Sequence, residues 1–308
     1  MSILREKPGA DRAARSSIAR PVPIIAIATV LLVCSGCFRP EVPEARLRVV
    51  FPDLGQAEAI ILQTKDAALL VDCGETDSGP AILRELRRLG INRLDLVFLT
   101  HPHADHIGGF PYLADRMRVR LLMDSGFLQE SALQAKVMHT ARQQGIPRRR
   151  AVAGQFIRLG DSLSFSVLWP ERRHMTGTES DANNNSVVLM VRHGAVRILL
   201  TGDLQQEGEF ALMRRWPDLR ADVLKVGHQG SDDAAGAPLL SRVQPRWAVI
   251  VAGRDNSYGH PSPRTVQRLR SAGATVLCTA SVGKVEFESD GRTIRPVRER
   301  LAVPAASR

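Results

Sequence analysis

The chain has 308 residues, is 44% hydrophobic and carries 42 Lys and Arg against 32 Asp and Glu, a formal charge of +10. This is the make-up of an ordinary globular protein with a real core, in one large or two small domains, and it excludes low-complexity and internal-repeat architectures. The positive surplus favours polyanionic partners (nucleic acid, anionic lipid headgroups, acidic glycans), although 37 Arg against 5 Lys also describes an arginine-rich solvated surface. Arg148-Arg149-Arg150 is the one dense basic run, and aromatics at 5% do not advertise a platform for stacking single strands.

Arg5, Lys7, Arg12, Arg15 and Arg20 precede an apolar run, Pro21 to Val33, broken only by Thr29. Its 13 residues fall short of the roughly 20 that a membrane-crossing helix needs. They suit the core of a secretory leader. The run ends at Cys34-Ser35-Gly36-Cys37, small residues before a cysteine that resemble the lipobox of bacterial lipoproteins, with Cys34 where leucine is usual. The expectation is a leader over residues 1–36, export to the periplasmic side and a lipid anchor on Cys37. Loss of the leader removes five basic and two acidic residues and leaves +7. A linker is expected over 37–46, one domain over 47–300 and a tail over 301–308. Cys73 and Cys278 fall in strand-like stretches and are expected as buried free thiols.

Arg46 to Phe51 alternates as a strand, and Asp53 to Ala59 forms a polar turn. Ala59–Gln63 and Ala67–Val71 pair as a hairpin across Thr64-Lys65-Asp66, after which Asp72-Cys73-Gly74 leads to a helix over 79–89. Strands are expected at 94–99, 118–123, 149–158 and 163–169, with a helix near 129–144. The second half repeats the theme, with strands at 186–192, 196–201 and 221–226 and a helix after Asp203. Strand meanders with covering helices in two halves predict two sheets packed face to face with helices outside.

The chemistry concentrates at His101-Pro102-His103-Ala104-Asp105-His106, three histidines and a carboxylate at the end of an apolar strand. Imidazole nitrogen and carboxylate oxygen are the ligands that borderline divalent ions prefer. His101 and His103 can serve one ion from an extended strand end, and Asp105 and His106 a second. Asp203 follows the strand ending at Thr201, and His228 follows the strand ending at Val226. Each alone fits a helix cap or a surface histidine; together with the box they complete the bridging carboxylate and opposing imidazole of a two-ion site. His260 in Tyr-Gly-His-Pro is a weaker candidate, and Asn183-Asn184-Asn185 also fits a plain polar loop.

These residues resemble the metallo-β-lactamase-fold hydrolases, and within them the extracytoplasmic hydrolase domain of ComEC-type competence proteins. The resemblance spans about residues 47–298 and includes Asp53-Leu54-Gly55-Gln56, Asn-Asn-Ser before a strand, Lys-Val-Gly-His-x-Gly-Ser and Ser289-Asp290-Gly291. It implies an α+β fold, the four-layer αβ/βα sandwich, with the site at one sheet edge. It also implies one or two divalent ions, zinc or manganese, ligated by His101, His103, Asp105, His106, Asp203 and His228. The usual third histidine is absent, with Asn185 near its place, which weakens the site at His101 and His103. Gln229 stands where the branch commonly has a second histidine, and Glu58 replaces its usual Asp. No membrane-spanning channel segments are present among these residues, which implies a stand-alone hydrolase.

The mechanism implied is attack by a metal-bound hydroxide on a phosphodiester, with Asp105 and Asp203 as the catalytic carboxylates. Asp72 would fix a ligand imidazole from behind, while Lys225, Ser231, Asn185 and His260 would hold substrate or support the ligands. The expected partner is DNA or another phosphodiester. Hydrolysis of another ester class (lactone, β-lactam, phosphocholine ester) and non-catalytic DNA binding are the alternatives.

Overall fold

A computed structural model describes residues 46–297. The expected leader over 1–36, Cys37, the linker as far as residue 45 and the tail over 301–308 lie outside the described residues. The first half contains β1 (Leu47–Phe51), β2 (Ile60–Gln63), β3 (Ala68–Val71), α1 (Gly79–Arg88), β4 (Arg93–Leu94) and β5 (Leu96–Leu99). It continues through α2 (Ala104–Ile107), α3 (Phe110–Ala114), β6 (Arg118–Val119), β7 (Leu122–Asp124), α4 (Ala132–Gln143) and β8 (Arg148–Arg150). Then follow β9 (Phe156–Leu159), β10 (Leu163–Trp169), α5 (Asp181–Asn184), β11 (Val188–His193), β12 (Val196–Leu200), α6 (Gln206–Arg215) and β13 (Val223–Lys225). A 3-10 turn at His228–Gly230 precedes α7 (Ala237–Val243), β14 (Trp247–Ile250), α8 (Pro263–Ser271), β15 (Thr275–Cys278), α9 (Thr279–Val282), β16 (Val285–Ser289) and β17 (Ile294–Pro296).

Eight strands form one sheet in the order β17-β16-β1-β2-β3-β5-β7-β8, and seven form the other in the order β15-β14-β13-β12-β11-β10-β9. Alternation along the strands sorts side chains between layers. Val49, Phe51, Leu62, Leu69 and Phe98 of the first sheet meet Phe165, Val167, Val191 and Ile198 of the second in the central core. Phe98 and Phe165 join the two sheets directly, ring centroids 6.3 Å apart. The opposite residues, Val50, Ile61, Leu70, Val97 and Leu122, face Ile82 and Leu86 of α1, Phe110 of α3 and Val137 of α4. On the far side Met190, Leu199, Leu224 and Ile250 face Leu212 of α6, Leu240 of α7 and Leu269 of α8. The result is the four-layer αβ/βα sandwich.

Two expected strands divide. The run over 118–123 splits into β6, which pairs only with β4, and β7 in the large sheet. The run over 149–158 crosses from one sheet to the other. After β8 the chain turns at Gly154, whose φ of +96° only glycine adopts readily, before β9 enters the second sheet. Cys73 and Cys278 are both buried and unpaired. No helix of the described residues is long and apolar enough to cross a membrane.

The parallel runs β3-β5-β7 and β12-β13-β14 release every loop that carries a candidate ligand from their C-terminal ends, where open α/β sheets gather ligands. Gly108 and Gly109 are required there by backbone approach. A Cβ on Gly109 would lie 2.2 Å from the Cys73 carbonyl oxygen, and one on Gly108 would lie 2.4 Å from the Thr76 nitrogen. The histidine loop is thereby seated on the loop after β3.

Candidate metal centre

Asp72 leaves β3 in the left-handed region, φ 60°, and its carboxylate is fully buried. Its Oδ1 accepts from the Thr100 nitrogen at 2.7 Å; its Oδ2 accepts from Thr100 Oγ1 at 2.7 Å and faces His106 Nδ1 at 2.7 Å. Thr100 Oγ1 also lies 3.1 Å from His101 Nδ1. Because the threonine proton goes to Asp72, this network assigns Nδ1–H to both imidazoles and leaves both Nε2 lone pairs facing inward. One buried carboxylate therefore orients two candidate ligands, His106 directly and His101 through Thr100.

His101, His106 and Asp203 each present one ligand atom, all within 4.8 Å of one another. His106 Nε2 is fully buried and makes no well-aimed hydrogen bond, although Asp203 Oδ2 lies 3.2 Å away and Asp105 Oδ2 3.5 Å away. A lone pair set against two carboxylate oxygens requires a shared positive charge, either a proton or a cation. The donor set of two imidazoles and a carboxylate suits zinc or manganese, so these residues fit a divalent ion. His103 adjoins the trio, its Nδ1 3.0 Å from His101 Nε2.

Electrostatics follow from burial and the carboxylates. Burial would hold His106 neutral, but Asp203, Asp105 and Asp72 outweigh it and raise its pKa well above the usual imidazole value. Burial and the neighbouring His106 push His101 well below that value, and burial lowers His103. Burial would raise Asp203, but His106 and Lys225 overcome it and hold Asp203 well below the usual carboxylate range.

Several of the residues expected to hold substrate or support the ligands are committed to contacts within the protein. Lys225 has no exposed surface. Its Nζ pairs with Glu58, donates to the Gly202 carbonyl at 2.8 Å and lies 3.4 Å from Asp203 Oδ1. It neutralises buried carboxylates and cannot meet a substrate. Burial lowers its pKa, yet Glu58 and Asp203 reverse the sign, while burial pushes Glu58 up to about 7 against the pull of Lys225. Ser231 hydrogen-bonds Asp233, and the Gly230 and Ser231 nitrogens are spent inside their own turn on the Gly227 and His228 carbonyls. Asn185 is buried, with its amide bonded to the backbone of Met175 and Asp181. Asn183 is the asparagine that approaches an imidazole, Nδ2 3.5 Å from His228 Nε2.

His228 stands apart from the trio. Its polar contacts are Asp233 Oδ1 at 3.3 Å and Gln205 Nε2 at 3.4 Å, both at Nδ1, besides Asn183. Burial is overcome by Asp233, which raises the His228 pKa. His260 packs edge to face against His228, centroids 5.6 Å apart.

Two residues that carried no functional assignment from the sequence connect these loops. Gln229, itself at φ 53°, donates through Nε2 to Asp105 Oδ2 at 2.8 Å and to the Gln56 carbonyl at 3.1 Å. Gln56 Nε2 donates to Gln229 Oε1, and Gln56 Oε1 accepts from the Gly253 nitrogen. The pair clasps Asp105 across both halves of the domain. Gln229→Ala is expected to weaken divalent-ion affinity roughly 10- to 100-fold, the usual loss when an outer partner of a ligand is removed. Competition with a chromogenic chelator measures it.

The fold and the inward-facing cluster define a metallo-hydrolase scaffold, and the chain belongs to the metallo-beta-lactamase superfamily, whose family model matches residues 52–254. Among characterised proteins it is similar to ComE operon protein 3 of Bacillus subtilis, 37% identical over 204 residues, covering 66% of this chain and 26% of that one. It is also similar to competence protein ComA of Neisseria gonorrhoeae, 30% identical over 263 residues, covering 84% of this chain and 35% of that one. The chain thus spans about a quarter to a third of the length of these relatives. Among solved structures it shares its fold with the metallo-beta-lactamase fold protein YhfI of Bacillus subtilis, at a TM-score of 0.50 and 13% identity. That match covers 76% of this chain and 95% of YhfI.

Proposed function

We propose that this protein is a metal-dependent phosphodiesterase or nuclease acting outside the cytoplasm. The observation that carries the proposal is the buried His106 Nε2 set between the Asp203 and Asp105 carboxylates. Similarity to competence proteins and the positive charge favour DNA or another phosphodiester over a carboxylic ester. His101, His106 and Asp203 would hold the ion, with His103 and Asp105 beside them. A divalent ion there would supply an acidified water and charge stabilisation at a phosphoryl oxygen. The chain's own residues do the rest. Asp72 and Thr100 hold the ligand tautomers, Lys225 balances Asp203, and Gln229 aims Asp105. His228, with 28% of its side chain exposed and its pKa raised by Asp233, is placed to meet an anionic substrate oxygen. We further propose that residues 1–36 direct export and that Cys37 is lipidated, tethering the hydrolase to a bacterial membrane on its periplasmic side.

The test incubates the metal-stripped chain with labelled single-stranded DNA and a generic phosphodiester, with and without Mn²⁺ or Zn²⁺. Cleavage that requires metal and disappears in Asp105→Ala is the expected result. Turnover of lactones or phosphocholine esters instead would transfer the assignment to another ester class. Asn185 stands near the place of a third histidine and its amide is spent on backbone, which favours a second reading, a non-catalytic DNA binder. Salt-sensitive DNA affinity without turnover would establish it. Incorporation of labelled palmitate, abolished by Cys37→Ser, tests the anchor.

A further inference from the structure

The loop after β14 carries Tyr258, which is 72% exposed, and no partner engages its hydroxyl among the described residues. Its ring stacks on His260, centroids 5.9 Å apart and planes at 18°. His260 in turn meets His228 edge to face at 5.6 Å, so a chain of ring contacts runs from the rim of the candidate centre to an exposed tyrosine. The loop is held in shape by Asn256, whose Nδ2 donates to the Gly253 and His260 carbonyls and whose Oδ1 accepts from the His260 nitrogen at 2.9 Å. Ser262 ties its far end to the turn bearing His228, donating to the Gly230 carbonyl at 2.8 Å. The other exposed large hydrophobics include Phe156 and Phe210, which stand on β9 and α6 with no ring stack joining them to the centre. Low aromatic content therefore conceals one exposed aromatic ring joined by ring contacts to the rim of the candidate centre.

We propose that Tyr258, backed by His260, is the stacking platform for a nucleobase next to the scissile phosphodiester, so that the substrate is an unpaired strand. This rests on the phosphodiesterase assignment above. An aromatic face accepts any base, because every base has a π-face. A base within a duplex is already stacked and must first be extracted, which sets the preference for single strands. Tyr258 is then a specificity residue, acting on binding rather than on the reacting atoms.

The test uses the full chain and a short phosphorothioate-linked DNA strand carrying 2-aminopurine, whose fluorescence falls when the base stacks. The unaltered chain is expected to quench the probe. Tyr258→Ala is expected to abolish quenching and weaken affinity roughly 5- to 150-fold, the span of a base–aromatic stack. Tyr258→Trp should retain both signals, and an abasic strand should bind the unaltered chain and Tyr258→Ala alike. Equal quenching and affinity in Tyr258→Ala would overturn the platform. The two proposals fail separately: quenching of the phosphorothioate probe with no metal-dependent cutting of ordinary DNA sinks the nuclease assignment alone. Ordinary DNA cut by Tyr258→Ala at unchanged KM sinks the platform alone. No binding by the unaltered chain overturns both.

Discussion

Replacing His106 by alanine is expected to abolish divalent-ion binding and metal-dependent hydrolysis together. The loss should exceed the roughly 10- to 100-fold that removal of an outer partner costs, because His106 Nε2 is the donor on which Asp203 and Asp105 converge. Asp72→Asn is the graded comparison. It replaces the carboxylate that accepts from Thr100 and holds His106 Nδ1, so the ligands persist while their orientation is lost. Metal content after dialysis, measured beside cleavage of labelled DNA, separates the two. A His106→Ala chain that keeps its ion would locate the centre elsewhere.

The second large effect falls on stability. Lys225→Met is expected to cost about 3–5 kcal/mol, the usual penalty for removing one partner of a buried ion pair. Glu58 and Asp203 are buried with Lys225 between them, and without it two carboxylates would face each other in a low-dielectric interior. Lys225→Met combined with Glu58→Gln should recover part of the loss, since a neutral amide replaces one of the stranded charges. Denaturant unfolding measures both. A Lys225→Met chain as stable as the parent would contradict the buried pairing and return Lys225 to the substrate.

Much of the fold was legible because its determinants are local. Period-two alternation in Leu47–Phe51 and Leu163–Trp169 marks strands buried on one or both faces. The histidine box is visible because its residues are neighbours in the chain, delivered by one apolar strand. What stayed illegible lies where partners are distant in sequence. Lys225 ends a buried strand, and only the fold brings Glu58 to it; lacking that contact, a lysine beside a metal motif looks like an anion hook. The three asparagines are indistinguishable as a string, yet Asn184 accepts from the Gln205 and Gly208 nitrogens at the start of α6, Asn185 pins the Met175 loop and Asn183 approaches His228. Gln56 and Gln229 form their clasp across the two halves of the domain, with no local pattern to announce it. The false strand over 149–158 arose because polar Arg148–Arg150 hides a change of sheet that only pairing reveals.

Titration of Zn²⁺ into the metal-stripped full chain, at two pH values and in two buffers of different ionisation enthalpy, tests the centre most directly. His106 has a raised pKa because Asp203, Asp105 and Asp72 outweigh its burial, so a proton competes with the ion for Nε2. Binding is predicted to release protons, to strengthen as pH rises and to vanish in His106→Ala. An unaltered chain that binds no divalent ion, or one whose binding survives His106→Ala at undiminished affinity, would contradict the account.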